Sequence, residues 1–338
     1  MKNICVLLAL IGVFASCEKK EEIKEFVIQG TAQGSTYAIK YVSESEVVSK
    51  KQIDSIFAVI DNSMSTWVPT SIVSKVNDGD TLVVVDDHFK KVMKASERIF
   101  MESDSLFDPT VGTLMKVYGF GPKKQIKHLS REQLDSVMDY IGLEKVRLRP
   151  DGTISKLYPE IYMDFNSIAQ GYSVDVLVDF LKANGINNAI VEVGGELAAI
   201  GTNTLKDKNW VVGIDDPLQD PYEPRKLIAR INIQDLGMAT SGNYRKVILD
   251  TVTGEKYVHT MNPKTGLPQK GTILSATVLA EKTMRADGLA TAFMTMDVDK
   301  SIGFLKMHPE IYAYFIYMDD SNKEQFYQTE NFKKLMLE

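Results

Sequence analysis

Cysteine is almost absent from this chain. The only two cysteines among its 338 residues are Cys5 and Cys17, both close to the N-terminus. Any folded domain that follows Cys17 therefore contains no thiol. This excludes disulfides, zinc–thiolate sites, iron–sulfur clusters and a cysteine nucleophile from that domain.

Clusters of basic residues and glycine motifs for nucleotides are lacking as well. The chain has 39 Lys and Arg against 45 Asp and Glu, a formal net charge of −6, and no basic run longer than a few residues. This pattern gives no indication of nucleic-acid binding. No Gly-x-Gly-x-x-Gly follows the first predicted strand and no Walker loop occurs, so a doubly wound nucleotide-binding fold is not indicated.

Apolar residues form a long run only at positions 4–14, and this run is too short to cross a membrane as a helix. It follows Lys2 and precedes small residues, an order typical of an export signal. Cys17 after Phe14-Ala15-Ser16 resembles a lipobox, although leucine is usual at the position of Phe14. The alternative is a simple signal peptide that is cleaved near Ser16. We expect residues 1–17 to direct export, and acyl chains on Cys17 to hold the protein at a membrane surface facing the periplasm.

The remainder of the chain predicts one folded unit. Residues 18–25 are strongly charged and are expected to form a solvated tether. From residue 26 to residue 338 there is no low-complexity linker and no internal repeat, which predicts a single compact domain with two lobes. Strand-like alternation and helical periodicity interleave along it, for example a hairpin around Gly34 and a helix that Ser130 starts with a capping box. The pattern therefore predicts a mixed α/β (α+β) fold.

A carboxylate and a hydroxyl lie four residues apart near the C-terminal end. The run 285–294 reads as a helix, which places Asp287 and Thr291 one turn apart on the same face. Their oxygens suit a hard cation such as Mg²⁺, which usually keeps several waters and binds substrate phosphates; a solvated helix face is the alternative. His259 precedes the turn-rich segment 260–268 and is the best of the four histidines for acid–base chemistry. Together these residues predict a metal-assisted site for a ligand that carries phosphate.

Two loops present side chains that suit a ligand. Trp67 follows a predicted helix and can cover a planar ring, with half-buried packing as the alternative. Asp108 precedes Pro109, which restricts it to extended geometry, so its carboxylate either meets a ligand or caps a turn.

Three further segments offer backbone groups. A predicted strand over 161–165 passes into a predicted helix over 167–184, whose N-terminus suits an anion unless Asn166 or Ser167 only caps it. Gly194-Gly195 between two strands allows close approach of a ligand or of another strand. Thr240-Ser241-Gly242 reads as a small donor-rich loop that suits phosphate.

Nine segments in chain order resemble the ApbE family, whose members are FAD:protein FMN transferases. The resemblance extends over most of the chain, and its specificity comes from the order of motifs that are weak individually. The segments are Gly34-Ser35-Thr36-Tyr37, Met64-Ser65-Thr66-Trp67, 107–112, 164–175, Val193-Gly194-Gly195, 210–214, Thr240-Ser241-Gly242, 259–268 and 286–291.

The resemblance implies a T-fold-like α/β architecture and a Mg²⁺-dependent reaction. FAD would be split at its pyrophosphate, FMN would be joined through phosphate to a threonine hydroxyl of a target protein, and AMP would leave. The implied metal ligands are Asp287, Thr291 and the backbone carbonyl of Ser167. His259 matches a functionally important histidine, and either His259 or Asp287 could take the threonine proton. The implied FAD contacts are Gln33, Trp67, Leu106, Phe107, Asp108, Asp164, Gln170 and Met261.

Two positions depart from the family pattern. Gln33 stands where methionine is common, and Gln170 stands where lysine or glutamate is common. Glutamine keeps hydrogen-bonding ability without charge, so affinity for the flavin or the adenine is expected to differ.

The implied partners are exported or membrane-embedded redox proteins, such as subunits of sodium-pumping NADH:quinone reductase or related electron-transfer complexes. Two other functions remain open at this point. An FAD pyrophosphatase would use the same site with water in place of threonine, releasing FMN and AMP. A lipoprotein that binds FAD without chemistry would not need a cation at the pyrophosphate.

Overall fold

The structure, a computed structural model, describes residues 22–118, 129–219, 223, 226–242, 247–249, 256–258, 260–268 and 271–337. Cys17 with the rest of the predicted export signal, and His259, lie outside these residues. No helix in the described ranges is both long enough and apolar enough to cross a membrane.

The described residues form the following elements. The strands are β1 (Lys24–Ala32), β2 (Ser35–Ser43), β3 (Val146–Leu148), β4 (Ile154–Lys156), β5 (Ala189–Val193), β6 (Glu196–Ile200), β7 (Trp210–Asp215), β8 (Leu227–Ile233), β9 (Leu236–Gly242), β10 (Val247–Leu249), β11 (Lys256–Val258), β12 (Ile273–Ala280), β13 (Tyr312–Met318) and β14 (Glu324–Gln328). The helices are α1 (Lys50–Met64), α2 (Ile72–Asn77), α3 (Asp87–Glu102), α4 (Gly112–Val117), α5 (Arg131–Met138), α6 (Ala169–Ala183), α7 (Thr283–Thr295), α8 (Val298–Met307) and α9 (Glu330–Lys333).

An eight-stranded sheet organises the fold. Its strand order is β1-β2-β5-β6-β9-β12-β13-β14, and every neighbouring pair is antiparallel. The hairpin predicted around Gly34 is confirmed: Gln33 and Gly34 form a two-residue connection with φ of 52° and 73°. Two consecutive positive φ angles match the right-handed twist of the flanking strands, which is why this turn favours glycine.

The two faces of this sheet carry different partners. Ala198 and Ala239 face helices α6 and α7, whereas their neighbours Leu197 and Met238 face a second layer. That layer is the β7–β8 hairpin, extended by C-terminal residues because the Leu335 carbonyl accepts from the Asn232 N–H at 2.8 Å. Successive apolar residues of these strands therefore pack into cores on opposite faces of the sheet. The predicted mixed α/β (α+β) fold is confirmed.

Two local predictions are wrong. Residues 161–165 form no strand and contribute a single bridge, between Tyr162 and Val111. Residues 240–242 are not a loop: they end β9, an inner strand between β6 and β12. Small and polar residues there read as a turn, but all three residues pair with β12, and this pairing overrides their weak strand propensity.

Candidate active site

The predicted metal ligands meet where the N-terminal end of α6 approaches α7. Asp287 and Thr291 lie one turn apart on α7, as their spacing predicts. The Thr291 hydroxyl donates to the Ser167 carbonyl at 3.4 Å, and it lies 3.5 Å from the Ser241 hydroxyl of β9. Asp287 is buried, and its Oδ2 accepts the Gly171 N–H at 2.9 Å. The fold thus brings the carbonyl of Ser167, the carboxylate of Asp287 and the hydroxyl of Thr291 together.

The surroundings of Asp287 disfavour its negative charge. Burial raises the pKa of Asp287 well above its ordinary value, and the nearby carboxylates of Glu196 and Asp175 raise that pKa further. The Gly171 N–H acts in the opposite direction. None of these groups is a cation, so these described neighbours do not compensate the charge of the buried carboxylate.

These donors fit a hard cation. A carboxylate, a hydroxyl and a backbone carbonyl are the oxygen ligands that Mg²⁺ accepts, and a bound cation would compensate the charge of Asp287. The described residues contain no cluster of three or more His, Cys, Asp or Glu side chains able to hold a metal. A site with one carboxylate leaves positive charge on the ion, which suits a cation that completes its shell with waters and phosphate oxygens.

Asp175 fixes α7, and the sequence reasoning assigned it no role. Its carboxylate accepts the Thr283 N–H at 2.8 Å and the Met284 N–H at 3.0 Å, two of the unpaired amides at the start of α7. No residue of α7 or its flank provides a side-chain cap. Burial raises the pKa of Asp175 to about 6. Its only sequence signal is its position at the end of the motif 164–175, because the partner amides lie far away in the chain.

Gly171 allows α6 to approach α7 closely. A Cβ at this position would lie 2.6 Å from the Thr283 carbonyl oxygen and 2.7 Å from the Asp287 Cβ. Both contacts are with atoms of the α7 backbone or directly attached to it, so a side chain at Gly171 must push the helices apart.

We expect Gly171→Ala to lower the free energy of unfolding by about 1–3 kcal/mol, as in other overpacked cores. Catalysis should fall by about a hundredfold, because a shift of about 1 Å misplaces Asp287. Urea denaturation measures the first effect, and the rate of the FAD-dependent reaction that the resemblance implies measures the second. Gly303→Ala is the matched control: a Cβ there meets nothing within 4 Å, and alanine favours the helix interior by about 1 kcal/mol. Equal stability of the Gly171→Ala variant and the wild type would contradict the close approach.

Two of the predicted FAD contacts lie beside this centre. The Gln33 Nε2 donates to the Ser173 hydroxyl of α6 at 2.8 Å, whereas its Oε1 is buried without a hydrogen-bond partner among the described residues. Gln170 is half-buried at the start of α6 and packs against Gly194, where a Cβ would lie 2.3 Å from the Gln170 Nε2. The two positions that depart from the family pattern therefore flank the N-terminal half of α6.

The other predicted contacts differ in their exposure. Trp67 is 62% exposed, which leaves its indole face open to a ligand. Asp164 is half-buried, and its carboxylate accepts from the N–H of Asn166 at 2.8 Å. Leu106 and Phe107 are buried, so their side chains already belong to the core. Met261 is also buried, in a small cluster that includes Leu114, Tyr118 and Ile141.

Asp108 caps a turn, which was the alternative interpretation of this residue. One carboxylate oxygen accepts from the N–H and the hydroxyl of Thr110 at 2.8 and 2.7 Å, and the other accepts from the Leu143 N–H at 3.2 Å. Burial raises the pKa of Asp108 to about 6. In this arrangement its oxygens stabilise the fold around Phe107.

The interpretation that Asn166 or Ser167 caps helix α6 is wrong. The helix begins at Ala169, and its N-cap residue Ile168 makes no side-chain capping hydrogen bond. The Ser167 carbonyl instead accepts from the Thr291 hydroxyl, which places it beside another of the predicted metal ligands.

Comparison with known proteins gives a consistent result. The family described as "ApbE family" matches residues 33–315. The FAD:protein FMN transferase of Haemophilus influenzae is 32% identical over 309 residues, which cover 88% of this chain and 87% of that protein. The FAD:protein FMN transferase of Vibrio cholerae is 31% identical over 343 residues, covering 99% of each.

Solved structures agree with this result. The flavin transferase ApbE from Vibrio cholerae superposes with a TM-score of 0.81 at 30% identity, covering 93% of this chain and 100% of the other. The apo form of the flavinyl transferase ApbE from Pseudomonas stutzeri gives a TM-score of 0.80 at 28% identity, with coverage of 93% and 97%.

Proposed function

This chain belongs to the ApbE family, and from that premise we propose that it is a Mg²⁺-dependent FAD:protein FMN transferase. It would transfer FMN from FAD to a threonine hydroxyl of an exported redox protein and release AMP. The observation that carries the proposal is the junction of α6 and α7, where the Ser167 carbonyl, the Asp287 carboxylate and the Thr291 hydroxyl lie together. The Asp287 carboxylate is buried, and none of the described groups that shift its pKa is a cation.

The reaction exchanges one phosphorus–oxygen bond for another. The threonine oxygen attacks the phosphorus of the FMN half, the bond to the bridging pyrophosphate oxygen breaks, and AMP leaves with that electron pair. A Mg²⁺ ion at Asp287, Thr291 and Ser167 would neutralise charge on the pyrophosphate. The nucleophile belongs to the partner protein, so the chain needs neither a thiol nor a catalytic serine of its own.

The protein's own groups position the reactants. The Gly171 N–H fixes the orientation of Asp287, and Asp175 fixes the start of α7. We assign the threonine proton to His259, with Asp287 as the alternative acceptor, because an imidazole that titrates near neutrality suits a general base. Trp67 is exposed enough to cover the flavin ring, and Gln33 and Gln170 offer amide groups beside α6.

We extend the proposal to localisation. Acyl chains on Cys17 would anchor the protein to a membrane facing the periplasm, and β1 starts at Lys24. Six residues lie between Cys17 and Lys24, and the seven steps along the chain reach at most about 25 Å when extended, so the domain would act close to the membrane surface. Subunits of NADH:quinone reductase or related electron-transfer complexes with exported domains would be within its reach.

The test uses the form that begins after Cys17, mixed with FAD, Mg²⁺ and a soluble exported domain of such a subunit. We expect AMP release together with an increase in the mass of that domain by one FMN unit. AMP with free FMN and an unmodified domain would indicate the pyrophosphatase instead. Bound FAD without AMP would leave a binding protein and would contradict the assignment of Asp287.

A further inference from the structure

The second layer of the fold stops before it covers the whole sheet. On the face opposite α6 and α7, Phe332 stacks on Tyr314 of β13, and the Trp210 indole N–H donates to the Ile200 carbonyl of β6 at 3.2 Å. The C-terminal segment, β8 and β7 thus lie side by side above the strands from β13 to β6. Above β5 and β2 the described residues add no further strand to this layer, although Val42 of β2 and Ile190 of β5 pack at the edge of its apolar cluster.

A cavity of about 780 Å³ occupies the uncovered position, and we call it the β7 groove. Its floor is the open face of β2, β5 and β6, where Ala38, Glu192 and Leu197 lie in register on neighbouring strands. Its wall is β7, whose outer edge pairs with no strand in the described part of the chain. Such an edge presents unpaired N–H and C=O groups.

The dimensions of the groove suit one extended polypeptide segment. A strand added to β7 would lie about 4.8 Å from it and about 10 Å above the sheet, which is the next vacant position of the second layer. The six residues of β7 span about 20 Å at the usual rise per residue. Main-chain pairing along such an edge is a common way for a domain to bind an extended peptide.

Charge distinguishes the two ends of the groove. Lys40, Lys206 and Lys208 line the end near Asn203, are exposed, and make no ion pair within the described ranges. The opposite end is formed by Thr36, Gly195 and Thr240, and it carries the Glu192 carboxylate, which accepts from the Gly195 N–H at 2.7 Å, instead of a lysine. An occupant with acidic residues toward the lysines would complement this pattern.

The end of the groove away from the lysines adjoins the candidate active site. Thr240 faces the groove, whereas its neighbour Ser241 faces α7 and lies 3.5 Å from the Thr291 hydroxyl. Gly195 lines the groove, and the adjacent Gly194 contacts Gln170. A segment that leaves the groove over the Gly194-Gly195 turn therefore arrives at the rim of the site.

We propose that the β7 groove docks an extended, partly acidic segment of the acceptor protein as an added strand along β7, delivering the acceptor threonine to the site. The proposal rests on the proposed function, since it names how that function recognises its protein substrate. A short peptide that contains the acceptor threonine would then be a poorer substrate than the same segment within its protein.

The first test reverses the charge at the lysine end. We expect the double variant Lys206→Glu/Lys208→Glu to raise the KM for the acceptor domain about fivefold to tenfold, with kcat and the affinity for FAD unchanged. Lys91→Glu/Lys94→Glu on α3 is the matched control, because both lysines are exposed and lie outside the groove. Equal KM values for both double variants would overturn the proposal.

The second test reads the backbone directly. Amide hydrogen exchange of the wild-type enzyme should slow in residues 210–215 when the acceptor domain is added at saturation, because pairing protects the outward N–H groups of β7. Unchanged exchange in residues 210–215 would overturn the proposal. Protection that increases with enzyme concentration in the absence of acceptor would also overturn it, because it would show that a second copy of the enzyme occupies the groove. If the wild type modifies no acceptor and the domain does not protect β7, both proposals fail. Modification without protection of β7 removes only the docking site.

Discussion

Replacing Asp287 by asparagine is expected to lower FMN transfer at least about a thousandfold, which corresponds to roughly 4 kcal/mol of transition-state stabilisation. Asparagine keeps the size of the side chain and can still accept the Gly171 N–H with its carbonyl oxygen. It removes the only carboxylate among the three proposed metal ligands. The loss should therefore fall on catalysis and on Mg²⁺ binding rather than on folding.

The stability of the same variant provides an independent signature. The pKa of Asp287 is raised in the folded protein, so ionisation of this carboxylate costs stability as the pH rises above its unfolded pKa. In the presence of EDTA at neutral pH, the Asp287→Asn variant should be at least as stable as the wild type. Added Mg²⁺ should raise the Tm of the wild type but not of the variant, because only a ligand that binds the folded state stabilises it.

Asp299→Asn is the matched control for this experiment. Asp299 is exposed in the first turn of α8, so its substitution should leave transfer and the Mg²⁺-dependent change in Tm as in the wild type. Full activity of Asp287→Asn, or an undiminished effect of Mg²⁺ on its Tm, would show that the cation binds elsewhere.

Replacing His259 by asparagine is expected to abolish FMN transfer while FAD binding is retained. General-base catalysis typically contributes a factor of about 10²–10⁴, and asparagine cannot take up the threonine proton. Transfer to the acceptor domain should be measured together with the quenching of flavin fluorescence, which reports FAD binding. The residual rate should also lose the dependence on pH near neutrality that a histidine base imposes.

His308→Asn serves as the control for this substitution. His308 stacks on Phe304 with ring centroids 4.2 Å apart and lies 3.3 Å from the carboxylate of Glu310 at the surface, away from the proposed site. Its replacement should leave the rate and the pH profile unchanged. If His259→Asn transfers FMN at the wild-type rate, the proton goes to another group, and Asp287 becomes the first alternative.

Much of this fold could be predicted from the sequence, because local interactions determine it. The Ser130 capping box forms as the sequence predicts, because its partners are three residues apart. The β1–β2 hairpin and the one-turn spacing of Asp287 and Thr291 follow from the same short-range geometry. The errors at 161–165 and 240–242 arose because the presence of a distant partner strand, rather than local propensity, decides whether a segment is a strand: 161–165 has only one bridge, whereas 240–242 pairs with β12.

The sequence by itself determined which chemistry the domain lacks and which oxygen donors it offers. Without cysteine beyond Cys17, thiol chemistry is excluded from the domain, and the order of nine weak motifs indicates the family. These conclusions need only residue types and spacing, which tertiary contacts do not alter.

Only the tertiary structure decided how those donors are held. The Ser167 carbonyl and the Thr291 hydroxyl are 124 positions apart, and the Asp175 carboxylate and the Thr283 amide are 108 apart, so no short-range pattern could join them. The raised pKa of Asp287 depends on burial and on Glu196 of a separate strand. The β7 groove likewise exists because the second layer ends one strand short, a property of packing that no local segment encodes.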